Sequence, residues 1–545
     1  MAGTDSLQEA RDAYASRAWA SAYATFRAVD EKSPLTAGDL EEYARAAYLV
    51  GEDDQTAALL TRAFEQRERA RCADAAGEDA FWLGFYLLNR GEFARAGGWL
   101  GRANAATSDH GAECPVRAKL LAISSLRMLM GGDPAGALPG FAQAQEVGRH
   151  RGDADVMAMA GLGIGQAKIA SGEVSAGLAK LDEVMIAVTG GDVSPELSGI
   201  VYCAVIVACH QCYQPRRAAE WTRALSRWCD DQPDLALFRG DCLVHRAQIL
   251  VLNGAWQDAT SEVDLACQRL ADPPGQPAIG AAVYERAELH RMRGEVAAAV
   301  AAYDRAGELG HEVQPGLALL RLSQGRADAA WAGLSRALVE SANAWERPRL
   351  LAAAVEIAIV CDDVGAARAS ADELAGIADG RDSELLAAMA AHASGATLLA
   401  EGDPRGALSE LRSALQLWRS LDAPYQCARA RVLRGRCCER LGDGDAAQIE
   451  FRSAAEAFRH LGARPDLADV EGLGDGSYVP DSGSLTPREV QVIRAVSTGM
   501  TNRAIAAELF VSEKTIARHL SNIFTKLGIS SRAAATAYAY EHDLV

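Results

Sequence analysis

Glycine returns along this chain at intervals near forty residues: Gly51, Gly91, Gly132, Gly172, Gly254, Gly294, Gly325, Gly365, Gly402 and Gly442. The interval doubles once, after Gly172, where QCYQPRR (211–217) supplies the missing turn, and it shortens once, before Gly325. Around each glycine the same side chains recur. Five residues on stands a small one (Ala96, Ala137, Gly177, Ala259, Ala299, Ala330, Ser370, Ala407, Ala447). Nine on stands a large apolar one (Leu100, Phe141, Leu181, Val263, Tyr303, Leu334, Leu374, Leu411, Phe451), and twelve on usually alanine, as at Ala63, Ala103 and Ala454. Steps of four and three residues share one helical face. Each unit therefore predicts two helices that approach closely through a small residue. A lone hairpin leaves its apolar face wet, whereas a stack buries it. The period alone commits residues 5–473, opening with a degenerate unit at SRAWASAYATF (16–26), to roughly a dozen stacked hairpins.

Composition supports an all-α chain, because 49% of residues are apolar but only 6% aromatic, and Ala and Leu abound. MAGTDSLQEARDAYASRAW lacks the basic and apolar regions of a secretory signal. The densest apolar run, GIVYCAVIVAC (199–209), is too short to span a bilayer. A cytoplasmic protein with no membrane contact is the expectation. The twelve cysteines are scattered and read as small core residues, not as a disulfide frame.

The repeat columns resemble the tetratricopeptide pattern, most closely in LGFYLLNRGEFARAGGWLGRA (83–103) and RGRCCERLGDGDAAQIEFRSA (434–454). The period exceeds that family's usual unit, so longer helices or loops are expected. The resemblance implies a right-handed superhelical arm that holds a protein, peptide or small ligand on its concave face. The tryptophans at 82, 99, 221, 228, 256, 331 and 418 are read as packing residues.

Pattern and charge both change near the end. After Leu473 the segment GDGSYVPDSGS offers nothing to pack, and 474–484 reads as a flexible linker. From Leu485 to Val545 five Arg and two Lys face four Glu and one Asp, a net of +2 that leaves −20 on the rest. A large acidic body repels nucleic acid, whereas the terminal segment does not. LTPREVQVIRAV carries a helix start, with Thr486 as N-cap, Pro487 first in the helix and Glu489 closing a capping box. Gly499 ends that helix, Thr501 caps a second over NRAIAAEL, and Ser512 caps a third. On the third, Ile516, Leu520, Ile523, Phe524 and Leu527 gather on one side, opposite Lys514, Arg518, Ser521 and Thr525. Two short helices with a tight turn and an exposed polar stripe on the second are the layout of a helix-turn-helix.

Residues 485–545 resemble the LuxR-type helix-turn-helix domain over their full length, in the Leu-Thr-x-Arg-Glu opening, Asn-x-x-Ile-Ala, Ser-x-x-Thr-Ile and Asn-Ile-x-x-Lys-Leu. The resemblance implies double-stranded DNA as partner, with Ala517, Arg518 and Ser521 on the reading face. Where the family often carries a lysine this chain has Ala517, so Arg518 is the main candidate for guanine and Ala517 for a thymine methyl. Thr501, Asn502, Ser512, Lys514, Thr515, Asn522 and Lys526 are placed for phosphates. His519 reads as a packing or phosphate residue, and Arg532 as an anchor for the last helix. That last helix, RAAATAYAYEH, resembles the family's dimer surface, which implies a homodimer on a pseudo-palindromic site and, by family habit, an activator that meets RNA polymerase.

No Gly-Lys dipeptide occurs, which excludes a Walker A phosphate loop. No strand–helix alternation of a receiver domain is present, and no nucleophile with a base emerges. No catalytic role, cofactor or metal is expected. A zinc or redox reading of Cys203, Cys209, Cys212, Cys242 and His245 is the weaker alternative to core packing. The competing reading of the whole is an interaction scaffold whose terminal domain mediates assembly. Arg518 and the phosphate-facing set argue against it.

Overall fold

A computed structural model describes residues 2–474 and 485–544, apart from short stretches at 112, 233, 236–238, 272–275, 277, 342–343, 486, 510, 530 and 542–543. All regular elements among the described residues are α-helices. Residues 2–461 form twelve helix hairpins, from Ala2–Ala15 with Trp19–Asp30 to Pro424–Arg440 with Gly444–Leu461, and Arg464–Gly474 caps the stack. This is a tetratricopeptide-like array, and four further helices follow it.

The hairpin turns need a left-handed residue, and nine of the ten periodic glycines supply one, from Gly51 (φ 85°) to Gly442 (φ 77°). Gly365 differs from its expected role. It lies in the first turn of the helix Val364–Asp379, and the left-handed residue of that hairpin is Asp362 (φ 60°). In the QCYQPRR turn Tyr213 takes the position (φ 57°), and in the first hairpin Arg17 does (φ 62°). The shortened interval before Gly325 has a simple cause: the helix Gly316–Ser323 is only eight residues long.

The columns seen in sequence are the hairpin cores. Ala96, Ala137, Ala259, Ala407, Leu181, Leu411 and Val263 are fully buried. In four of the hairpins the large residue lands on a glycine of the preceding helix, seven places before the turn. A Cβ at Gly84 would lie 2.8 Å from Leu100, at Gly165 2.5 Å from Leu181, at Gly395 2.6 Å from Leu411 and at Gly435 2.3 Å from Phe451.

The stack closes on itself twice. In the first half, Trp19 Nε1 donates to Gln232 Oε1 (3.1 Å), and Arg45 lies 3.7 Å from the buried Glu196. In the second half, Trp256, Val263, Leu289 and Met292 share one core with Phe451, Phe458 and Leu461, and the Trp256 and Tyr425 rings sit 5.4 Å apart. The two halves meet at the Tyr213 turn. Tyr213 donates its hydroxyl to the Trp345 carbonyl (2.7 Å) and accepts at its own carbonyl from Ser383 (2.6 Å), while Arg216 donates to the Ser420 carbonyl (2.8 Å).

The cysteines behave as core atoms. Burial pushes the Cys209 and Cys212 thiols up to about 12 and about 11. Cys242 lies beside Cys229 and Ser226. Among the described residues no three His, Cys, Asp or Glu side chains gather as a metal site, and no helix is long and apolar enough to cross a membrane.

Candidate nucleic-acid interface

The terminal domain comprises helices Pro487–Ser497, Asn502–Glu508, Glu513–Leu527 and Arg532–Glu541. Its boundaries follow local chemistry. Gly499 (φ 82°) and Gly528 (φ 65°) provide left-handed stops. Thr501 Oγ1 accepts the Ala504 amide (3.2 Å), Ser512 Oγ the Thr515 amide (3.1 Å) and Ser531 Oγ the Ala534 amide (3.1 Å). Thr486, assigned as N-cap from sequence, and the linker 475–484 lie outside the described residues.

A separate core holds the four helices together: Val492, Ile493, Val496, Ile505, Ile516, Leu520, Ile523, Ala535 and Ala539. Polar struts fix their mutual angle. Arg488 donates to the Leu509 carbonyl (2.7 Å) and to Gln491 (2.8 Å), locking the first helix onto the turn. Lys526 pairs with the buried Glu489 (2.8 Å). Arg532 donates to Asn502 Oδ1 (2.7 Å) and to the Met500 carbonyl, which makes it an anchor of the last helix.

The third helix thus has two faces. Ile516, His519, Leu520 and Ile523 are buried, whereas Ser512, Lys514, Ala517, Arg518, Ser521 and Thr525 are exposed. Thr501 is exposed at the start of the second helix, and Thr515 is half-buried beneath Ser512 (Oγ–Oγ1 2.7 Å). Three sequence-assigned phosphate residues already have partners: Lys526 on Glu489, Asn502 on Arg532, and Asn522, whose amide donates to Asp445 Oδ2 (3.0 Å).

That last bond comes from the repeat arm, as does a second contact invisible in sequence. His519 lies 3.6 Å and Arg488 3.9 Å from Asp443, the N-cap of the last repeat helix. Burial works against charge on Asp443, but the nearby His519, the Ala446 amide and Arg488 outweigh it and hold the carboxyl below its usual range. Burial also lowers Arg488. Nothing at positions 443 and 445 signals these contacts, because they join residues far apart in the chain.

Two short helices across a tight turn, the second presenting Arg518 and Lys514 on a free face, define a helix-turn-helix DNA-binding domain. Residues 483–539 match the model of the luxR family of bacterial regulatory proteins, and the chain ends in a helix-turn-helix domain of that family. A nitrate/nitrite response regulator protein homolog of Haemophilus influenzae is 47% identical over 60 residues, covering 11% of this chain and 29% of its own. Similarity also reaches into the arm. A protein of Mycobacterium bovis named for HTH-type transcriptional regulation is 33% identical over 321 residues, covering 53% of this chain and 33% of its own length. The chain thus spans about a third of that relative. The solved Cut9–Hcn1 complex aligns over 85% of this chain and 95% of its own, with 13% identity and a TM-score of 0.37.

Proposed function

We propose that this protein is a sequence-specific transcriptional regulator, acting as a homodimer on a pseudo-palindromic promoter site. One observation carries the reading: the Ser512-capped helix leaves Ala517, Arg518 and Ser521 exposed while its opposite face is core. In a major groove, Arg518 would take guanine O6 and N7, with Ala517 against a thymine methyl. Phosphates would meet Thr501, Lys514 and the amide end of the recognition helix at Ser512 and Thr515. Asn502, Asn522 and Lys526 would join them only by sharing or leaving their present partners.

The arm is read as the sensor of a protein, peptide or small ligand, and the regulator as an activator that presents bound DNA to RNA polymerase. Asp443 and Asp445 against the recognition helix support a restrained state: two carboxylates beside a DNA-reading surface repel phosphates. An effector that favours undocking would raise DNA affinity.

Selection of genomic fragments on the full chain and on Arg518→Ala, at two salt concentrations, tests this reading. The parent should recover one inverted motif, and the substitution should lose about tenfold to a hundredfold at one base step in each half-site. A substitution that weakens binding equally at every sequence would remove Arg518 from base reading. Recovery of no motif by the parent or by the released terminal domain would overturn sequence-specific binding.

A further inference from the structure

The second half of the arm closes on itself around a cleft of about 440 Å³, a size that suits a small molecule. Three hairpin ends border it: the turn at Gly254 that opens the helix Trp256–Arg269, the end of the helix Ile279–Arg293, and the end of the helix Gly444–Leu461 with Gly462 and Arg464 beyond it. These ends are packed hard against one another. A Cβ on Gly254 would stand 2.5 Å from Pro424 and 2.7 Å from Leu461, and one on Gly294 3.0 Å from Pro465. Behind the cleft Trp256, Phe458 and Leu461 share one core, so its walls are held in place without a ligand.

The lining is polar and of two kinds. Arg293, Arg459 and Arg464 bring three guanidinium groups from two of these ends. Arg293 is oriented by donating to the Trp256 carbonyl (2.9 Å) but forms no ion pair among the described residues, and the Arg464 side chain has neither an ion pair nor a hydrogen bond among them. Arg459 pairs with Glu471 (2.9 Å), both more than half exposed, and such a pair holds weakly in water. Beside them Gln257, Asp258 and His460 are exposed, with no side-chain partner among the described residues, whereas Glu295 is taken by His290 (2.6 Å). Trp256 also borders the cleft, but it is only 2% exposed and packs against Tyr425, which leaves no indole face for a nucleobase to stack on.

We propose that this cleft binds a small sugar phosphate, its phosphate on Arg293 and Arg464 with Arg459 turning from Glu471 to join them, and its hydroxyls on Asp258, Gln257 and His460. Unpaired guanidinium groups fit an oxyanion with several acceptor oxygens. A carboxylate beside them repels a second anionic group but accepts from hydroxyls, which selects a ligand charged at one end and hydroxylated at the other. The helix Gly444–Leu461 carries Arg459 and His460 at its end, while Asp443 and Asp445 at its start lie against the recognition helix. Binding at one end of this helix would thereby be coupled to docking at the other. This inference rests on the reading of the arm as a sensor.

The test is calorimetry and thermal unfolding of the full chain with glucose 6-phosphate, fructose 6-phosphate and ribose 5-phosphate, each beside its free sugar, inorganic phosphate and AMP. At least one sugar phosphate should bind saturably and raise the melting temperature, with the free sugar and inorganic phosphate at least about tenfold weaker because each keeps only half of the contacts. Arg464→Gln, at an exposed and unpaired residue, should weaken binding by about tenfold with unchanged unliganded melting. Asp258→Asn should narrow the gap between sugar phosphate and inorganic phosphate. No binding by any of the three, equal binding by inorganic phosphate, tighter binding by AMP, or binding indifferent to Arg464→Gln each overturns the proposal. DNA binding by the same samples separates the two failures: an active DNA-binding protein without sugar phosphate affinity loses this site alone, and a ligand that binds without changing DNA affinity removes the sensor reading alone.

Discussion

An alanine at position 435 would place a methyl 2.3 Å from the Phe451 ring, in a hairpin where both helices are held by neighbours. Gly435→Ala is expected to cost about 1–3 kcal/mol by overpacking, measured by denaturant unfolding. Gly444→Ala, nine residues on and with open space around it, serves as the control and should cost less. A second residue-scale effect comes from His210, His245 and His392, each lowered by burial to about 3, 4 and 3. Their folded values lie below the unfolded one, so the protonated form favours unfolding. Stability should be complete above about pH 6.5 and should fall as pH drops toward 4, by about 1–2 kcal/mol per histidine at pH 5 as an upper bound. Melting curves from pH 7.5 to 5 should show this slope, and His392→Gln should flatten it.

Among the elements, the recognition helix is tied to its own domain through Ile516 and Ile523 and to the arm through His519 and Asn522. Asp443→Asn with Asp445→Ala removes both carboxylates while an asparagine still caps the helix Gly444–Leu461. Retardation of a selected DNA site should show a several-fold gain in affinity at low salt and little gain at high salt. Unchanged affinity would mean that docking does not restrain the domain. The caps at Thr501 and Ser512 were legible because capping is chemistry between neighbours along the chain. The partners of Lys526 and Asn502 were not, since Glu489 and Arg532 lie thirty or more positions away.

Across the whole molecule, a body of charge −20 carries a tip of charge +2. We propose that 474–484 acts as the hinge between them. Cleavage there should free a terminal domain that unfolds independently, as its separate core allows. The freed domain should bind DNA more tightly than the intact chain at low ionic strength, with the difference shrinking as salt screens the acidic arm. Equal affinity at every salt concentration would exclude repulsion by the arm.

The repeat, the helix class, most turn positions and the two-faced third helix were determined by the sequence alone, because periodicity and capping act over a few residues. The left-handed turn residue of one hairpin, Asp362 and not Gly365, already needed the backbone. Only the tertiary structure decided that Trp256 meets Tyr425, that the Tyr213 turn joins the two halves, and that Asp443 rests against His519. These contacts depend on the small rotation from each hairpin to the next, summed over many units. No local pattern encodes that sum, so residues far apart in the chain become neighbours without a mark in the sequence.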